Sequence, residues 1–283
     1  MQIFGVYKRT KGNQEASDHG LGPFLKQLPS FHAGHSHQSG PFFIVATGQI
    51  SLFDKLFVSS IGEFNYRNDS AHKEGQGACL DDNVNNATGL YSDFRRYREA
   101  LFSRLKGFYA LVLYDPTDET LYLSTDQLNS VPLYYVTHGQ SIVFTDDLET
   151  LLCFEDFISV NVDAVVAYLS DRPIDPSQTF YHSIHRIPRS TTLVVPRGRD
   201  IRQLRNIDFD FSKSRDFRLG TDEENIEHFR TLFSEVVRTH VRHHSKRAIA
   251  VSMSGGMDST SIAATLLTEC KDIEICIYSA AFT

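Results

Sequence analysis

"FYALVLYDPTDETLYLSTD", residues 108–126, reads as a β-hairpin, and it decides the fold of the front of the chain. An apolar run from Phe108 to Tyr114 meets a turn with Asp115, Pro116 and Asp118, and the second run sets Leu121 and Leu123 on one side. "VPLYYVTHGQSIVFTDD", residues 131–147, repeats the device with its turn at His138 and Gly139. Four β-segments in close succession predict a layered antiparallel sheet. Toward the amino terminus, "FFIVATGQISLFDKLFVS" (42–59) mixes β-branched and aromatic residues in short runs that suit further strands. Gly, Ser, His and Asn scattered through 9–40 and 62–90 predict loops. Phe94, Tyr97, Leu101 and Leu105 recur at helical spacing, which predicts a helix over 94–105 stopped by Gly107. Beyond the hairpins, "VDAVVAYLSD" (162–171) predicts a helix with Val162, Val165, Val166 and Leu169 on one face, and "TTLVVP" (191–196) adds a strand. An α+β domain of layered antiparallel sheets is therefore expected over 1–205, with a boundary in the polar stretch near 205–221.

A second domain is expected over 221–283. Thr221 and Glu224 have capping-box spacing, and Ile226, Phe229, Leu232, Phe233, Val236 and Val237 form the apolar face of the helix they open. Residues 248–253 suit a buried parallel strand, 258–269 a helix with Ile262, Ala263, Leu266 and Leu267 inward, and Ile273, Ile275 and Ile277 a second strand. A right-handed β-α-β unit puts "SGGMDS" (254–259) at the carboxyl edge of a parallel sheet and at a helix amino terminus, where backbone N–H groups attract phosphate. Gly255 and Gly256 permit positive φ and close approach, and Ser254, Ser259 and Thr260 add hydroxyls. The loop has no lysine, unlike G-x-x-x-x-G-K-[ST]. Asp258, a carboxylate where phosphates would bind, makes sense with a divalent cation between them; the plainer alternative is a tight turn that Asp258 caps.

Composition narrows the partners. Against 28 Lys and Arg stand 35 Asp and Glu, and a net charge of −7 argues against a nucleic-acid or membrane surface. No run of about eighteen apolar residues occurs, and "MQIFGVYKRTKGNQ" turns polar too early for a signal peptide, so a cytoplasmic protein is expected. Cys79, Cys153, Cys270 and Cys276 show no metal or redox spacing and are expected as reduced, mostly buried thiols. His32, His35 and His37 have no acidic or thiol companion and suggest a solvated loop rather than a metal site. The basic cluster at 238–247 suits a solvated helix end.

"SGGMDSTS" after an apolar strand resembles the pyrophosphate loop S-G-G-x-D-S of N-type ATP pyrophosphatases, specifically of asparagine synthetase-like enzymes. "LKGFYALVLYDPTDETLYLSTDQLNSVPLYY" (105–135) is similar to the L-D-G-x-F-A…Y-D…L-x-L-A-R-D-R-F-G-x-K-P-L-Y-Y stretch of their class II glutamine amidotransferase domain, and "SIVFTDDLETLL" continues the likeness. The resemblance implies an αββα layering of the Ntn-hydrolase kind followed by the start of an α/β ATP-pyrophosphatase domain. It also implies ATP and Mg²⁺ at Ser254, Gly255, Gly256, Asp258 and Ser259, with Asp258 as the metal ligand.

The departures matter as much. Family members take nitrogen from glutamine with an amino-terminal cysteine, and Gln2 stands in that place. An amide cannot serve as a thiolate nucleophile, so no catalytic residue for glutamine hydrolysis is expected. Lys106 replaces the acidic residue of L-D-G and Gln127 the arginine of D-R, while Asn129 replaces a glycine and tolerates the left-handed backbone. "GEFNYRN" (62–68) faintly resembles the glutamine-site G-E-I-Y-N. Members without the cysteine include lasso-peptide cyclases and β-lactam synthetases, which activate a carboxylate as an acyl-adenylate and capture it with an amine. The resemblance implies such an amide-forming ligase, with a carboxylate of a small molecule or peptide as substrate; the alternatives are asparagine synthesis or a non-catalytic nucleotide-binding or regulatory remnant. A doubly wound sheet needs about five parallel strands, and only one helix and one strand follow Asp258. The expectation is a truncated or partial chain, inactive alone, completed by a separate chain or working as a homodimer.

Overall fold

The structure is a computed structural model and describes residues 2–9, 35–46, 50–53, 56–66, 83–207, 220–241, 248–271 and 273–280. It divides into two compact units, Met1–Asp208 and Phe209–Thr283. In chain order the first holds strands β1 (Ile3–Lys8), β2 (His35–Ser39), β3 (Phe42–Ala46), β4 (Ile50–Phe53) and β5 (Leu56–Tyr66), then helix α1 (Asn83–Tyr97). Strands β6 (Leu105–Asp115), β7 (Thr120–Thr125), β8 (Tyr134–His138) and β9 (Ser141–Thr145) follow, then helices α2 (Leu148–Leu152) and α3 (Val162–Leu169). Strands β10 (Ile184–Arg186), β11 (Thr191–Pro196) and β12 (Arg202–Arg205) complete the unit.

These strands form two six-stranded antiparallel sheets, ordered β10-β8-β9-β1-β3-β2 and β12-β11-β7-β6-β5-β4. Alternation of side chains builds the layers. Along β6, Ala110, Val112 and Tyr114 enter a core shared with Tyr7, Phe42 and Ile44 of the other sheet, while Tyr109, Leu111 and Leu113 pack with Phe94 and Leu90 of α1. Along β1, Tyr7 enters the shared core, whereas Phe4 and Val6 pack with Leu151 of α2 and with Phe154. Helix, sheet, sheet and helix are thus stacked, the α+β layering expected from the hairpins.

Several local expectations are corrected. The helix predicted over 94–105 ends at Tyr97, because Arg98 adopts φ 49° and its guanidinium reaches Asp115 and Asp118 at 2.7 Å each. Leu105 then begins β6 opposite Tyr66, and Gly107 lies inside that strand with φ 122° rather than stopping a helix. His35 and His37 sit in β2, paired with Ala46 and Ile44 of β3, not in a solvated loop; His32 lies outside the described residues. The loops predicted over 62–90 include the end of β5 and the start of α1. In α3 the buried residue is Ala164, while Val162, Val166 and Leu169 are exposed. Cys153 is exposed and Cys270 and Cys276 are half-buried free thiols, against the expectation of burial; Cys79 lies outside the described residues.

The second unit holds α4 (Asp222–Val241), β13 (Ile249–Ser252), α5 (Met257–Glu269) and β14 (Ile275–Tyr278). The Thr221 N–H donates to Glu224 Oε2 at 2.8 Å and the Glu224 N–H to Thr221 Oγ1 at 3.3 Å, which closes the capping box. Strands β13 and β14 pair in parallel, from Ile249 opposite Ile275 to Ser252 opposite Tyr278. Val237, Val241, Val251, Ala263 and Leu266 form the small core. Ile226, Phe229, Leu232 and Val236 of α4, and Ile262 and Leu267 of α5, are exposed rather than buried. Residues 242–247 of the basic cluster lie outside the described residues. Among the described residues no helix is long and apolar enough to cross a membrane.

Candidate functional site

Two places gather the residues singled out from sequence. In the first unit, β5 and β6 run antiparallel with Glu63 opposite Phe108 and Asn65 opposite Lys106, so the "GEFNY" and "LKGF" segments lie side by side at one end of the second sheet. The turn after β7 is tied to the same end through Asp126. This buried carboxylate accepts the N–H of Tyr109 at 3.0 Å, of Leu128 at 2.8 Å and of Ser130 at 3.0 Å, and its own N–H donates to the Tyr109 carbonyl at 3.1 Å. Asn129 adopts φ 57°, the left-handed conformation expected of a residue in a glycine position, and its Nδ2 donates to the Ile187 carbonyl at 3.3 Å. Lys106 is exposed and Gln127 half-buried.

Gln2 belongs to the other sheet, immediately before β1. Its Nε2 donates to Asp147 Oδ2 at 3.5 Å, while the Ile3 N–H donates to Asp146 Oδ1 at 2.5 Å. Burial pushes the Asp146 carboxyl above the usual carboxylate range. Asp126, Asp146 and Asp147 were not singled out from sequence; an aspartate three and four residues before small polar residues, as in "DQLNS", is the local signal of a turn-capping carboxylate that would have pointed to Asp126.

In the second unit, "SGGMDS" leaves the carboxyl end of β13 and opens α5. Gly255 has φ 81°, and a Cβ built there would meet nothing within 4 Å, so glycine is required by conformation and not by space. Gly256 is different: its φ of −78° is open to any residue, so of the two glycines Gly255 uses the positive φ that both permit. The Gly256 N–H donates to Ser254 Oγ at 3.3 Å, and the Ser254 N–H to Ser259 Oγ at 3.3 Å. Ser259 Oγ and Thr260 Oγ1 donate to the Gly256 carbonyl at 3.3 and 2.8 Å. Gly256 is the residue that caps α5 and no side chain bonds there, so Asp258 is not a capping side chain; its carboxylate is exposed. The N–H groups of Met257, Asp258 and Ser259 lie in the first turn, where a helix has no acceptors of its own. Among the described residues no three His, Cys, Asp or Glu side chains converge as a metal site. In β2 the His37 ring packs tilted against Phe57, with centroids 4.2 Å apart, and burial lowers its pKa.

Residues 86–204 match the model of the glutamine amidotransferase domain family. Asparagine synthetase [glutamine-hydrolyzing] 1 of Bacillus subtilis is 25% identical over 176 residues, which are 61% of this chain and 26% of that protein. Amidase chry2 of Gibberella zeae is 25% identical over 172 residues, 60% of this chain and 25% of that protein. Among solved structures, glutamine phosphoribosylpyrophosphate amidotransferase from B. subtilis aligns at 12% identity and a TM-score of 0.33, covering 98% of this chain and 65% of that one. The chain spans about a quarter of the length of the curated relatives it matches. Residues 86–204 of the front unit are thus similar to a glutamine amidotransferase domain, and the chain is similar to a stretch of the asparagine synthetases.

Proposed function

We propose that this chain belongs to an ATP-dependent, amide-forming ligase of the asparagine synthetase kind, in which the front unit no longer hydrolyses glutamine and the second unit holds the nucleotide. The observation that carries the proposal is the loop at 254–259, between two parallel strands and their crossover helix. Its chemistry fits the pyrophosphate of ATP. Gly255 turns the backbone at φ 81°, the first-turn N–H groups of α5 lack helical acceptors, and the exposed Asp258 carboxylate offers oxygen to Mg²⁺. Mg²⁺ characteristically rests on one or two carboxylates plus substrate phosphates, so a single Asp258 suffices for that role.

Bound there, ATP supplies an α-phosphorus for attack by a substrate carboxylate, with pyrophosphate as leaving group. The residues of this chain would hold that leaving group. The loop N–H groups and the dipole of α5 would stabilise its negative charge, and Asp258 would hold the cation. Gln2 offers no nucleophile, which supports an amine other than ammonia from glutamine as acceptor, as in macrolactam or β-lactam formation.

Calorimetric titration of the full chain with MgATP tests the loop. Binding should require Mg²⁺ and weaken at least tenfold, about 1.4 kcal/mol, in Asp258→Asn. Absence of binding, or binding indifferent to that change, overturns the proposal. Exchange of label between pyrophosphate and ATP in the presence of candidate carboxylates identifies a ligase; binding without exchange identifies a nucleotide-binding regulator. Release of glutamate from glutamine by the chain would remove the premise about Gln2.

A further inference from the structure

The front unit holds a cavity of about 320 Å³. Tyr134 of β8, Leu148 of α2, Tyr168 of α3, and Ile174 and Phe180 of the connection to β10 line it with apolar surface, and Arg186 of β10 adds a guanidinium. The Tyr168 and Phe180 rings meet edge to face with centroids 5.3 Å apart, yet both are exposed, at 64% and 41%. Two large rings held against each other at the mouth of a cavity keep an apolar opening in water.

Arg186 is half-buried, and its Nε donates to the Pro176 carbonyl at 3.2 Å. That bond sets the plane of the guanidinium. No carboxylate among the described residues pairs with its terminal nitrogens. The neighbouring acids are engaged elsewhere: Asp175 Oδ1 accepts from the Ser177 N–H at 2.8 Å and from its hydroxyl at 2.5 Å. Asp147, on the Tyr134 side, accepts from the Glu149 N–H at 3.2 Å, from Thr150 Oγ1 at 2.8 Å and from Gln2 Nε2. A half-buried guanidinium that no described carboxylate pairs, beside an apolar cavity of ligand size, has the chemistry of an anion receptor.

We infer that this cavity binds an apolar carboxylate: a branched or aromatic side chain enters between Tyr134, Leu148 and Tyr168, and the adjacent carboxylate pairs with the terminal nitrogens of Arg186. The carboxyl terminus of a peptide and a free apolar acid share this chemistry. The inference uses neither the loop at 254–259 nor any role of Gln2 in catalysis, so it stands or falls separately from the ligase proposal.

Ligand-observed NMR or calorimetry on the full chain tests it with N-acetylphenylalanine, its neutral amide, and tetraglycyl-phenylalanine with a free carboxyl terminus. The free acid should bind at least tenfold more tightly than the amide. Arg186→Met should abolish that ratio, Arg186→Lys should retain part of it, and Tyr168→Ala should weaken acid and amide alike. Tighter binding of the peptide than of the free acid assigns the cavity to a chain terminus, and equal binding assigns it to a small acid. Equal affinity for acid and amide, or no saturable binding at millimolar concentration, overturns the inference. The acid-to-amide comparison is made on the unaltered protein, so it holds even where Arg186→Met fails to fold.

Discussion

Strand β7 and helix α4 carry apolar residues at regular spacing, but the structure treats them in opposite ways. Every residue of β7, Thr120–Thr125, is buried, whereas of the twenty residues of α4 only Val237 and Val241 are. The strand has β6 and β11 on its two sides, and its residues alternate between two cores on the sheet faces. The helix packs on a core of five buried residues over a two-stranded sheet, and Phe229, 66% exposed, points away from it. Periodicity therefore identifies which face is apolar, while the number of layers decides whether that face is covered.

The largest expected effect lies on the buried side of this contrast. Tyr7, Tyr109, Tyr114 and Tyr122 are buried in β1, β6 and β7, and burial raises all four hydroxyls above their ordinary value, Tyr114 to about 12. An unfolded tyrosine ionises near pH ~10, so above that value the unfolded state releases protons that the folded state keeps. Stability is full below pH ~10 and falls as pH rises. Tyrosinate absorbance and the β-sheet dichroism should change together in one cooperative step well above pH ~10; gradual ionisation near pH ~10 with the sheet intact would show that these rings are not sealed.

Next in size is Asp126→Ala, which leaves three N–H groups without their acceptor, that of Tyr109 buried, and should cost about 3 kcal/mol in urea unfolding. Asp126→Asn keeps one acceptor oxygen and should cost less. In the second unit, Leu266→Ala should cost about 3 kcal/mol, because Leu266 is among its few buried side chains. The smallest effect is Phe229→Gln on the open face of α4, within about 0.5 kcal/mol. A loss of several times that amount would mean the face is covered in solution, which would break the comparison with β7.

Much of this organisation was legible in the residues. The two hairpins, the capping box at Thr221 and Glu224, the parallel β-α-β unit and the left-handed Asn129 follow from local patterns, because turn chemistry and side-chain alternation act over a few residues. The end of α1 was not legible. Helical spacing continues to Leu105, but a contact between Arg98 and two aspartates seventeen and twenty residues away interrupts it. The convergence of "GEFNY" with "LKGF" is likewise a matter of strand register, since Asn65 and Lys106 are forty-one positions apart and only the β5–β6 ladder joins them. At the loop, sequence located Gly255 for a tight turn, while which of the two glycines takes the positive φ was not legible and falls to Gly255.

Strand β12, Arg202–Arg205, closes one margin of the second sheet with only four residues and an arginine at each end. A sheet margin presents unpaired backbone groups that another chain could extend, and this sheet is otherwise apolar on both faces. Arg202, held by Glu99, places a fixed positive charge where an incoming strand would lie. The short charged border thus disfavours accretion of a further strand at this margin of a sandwich rich in buried β-structure.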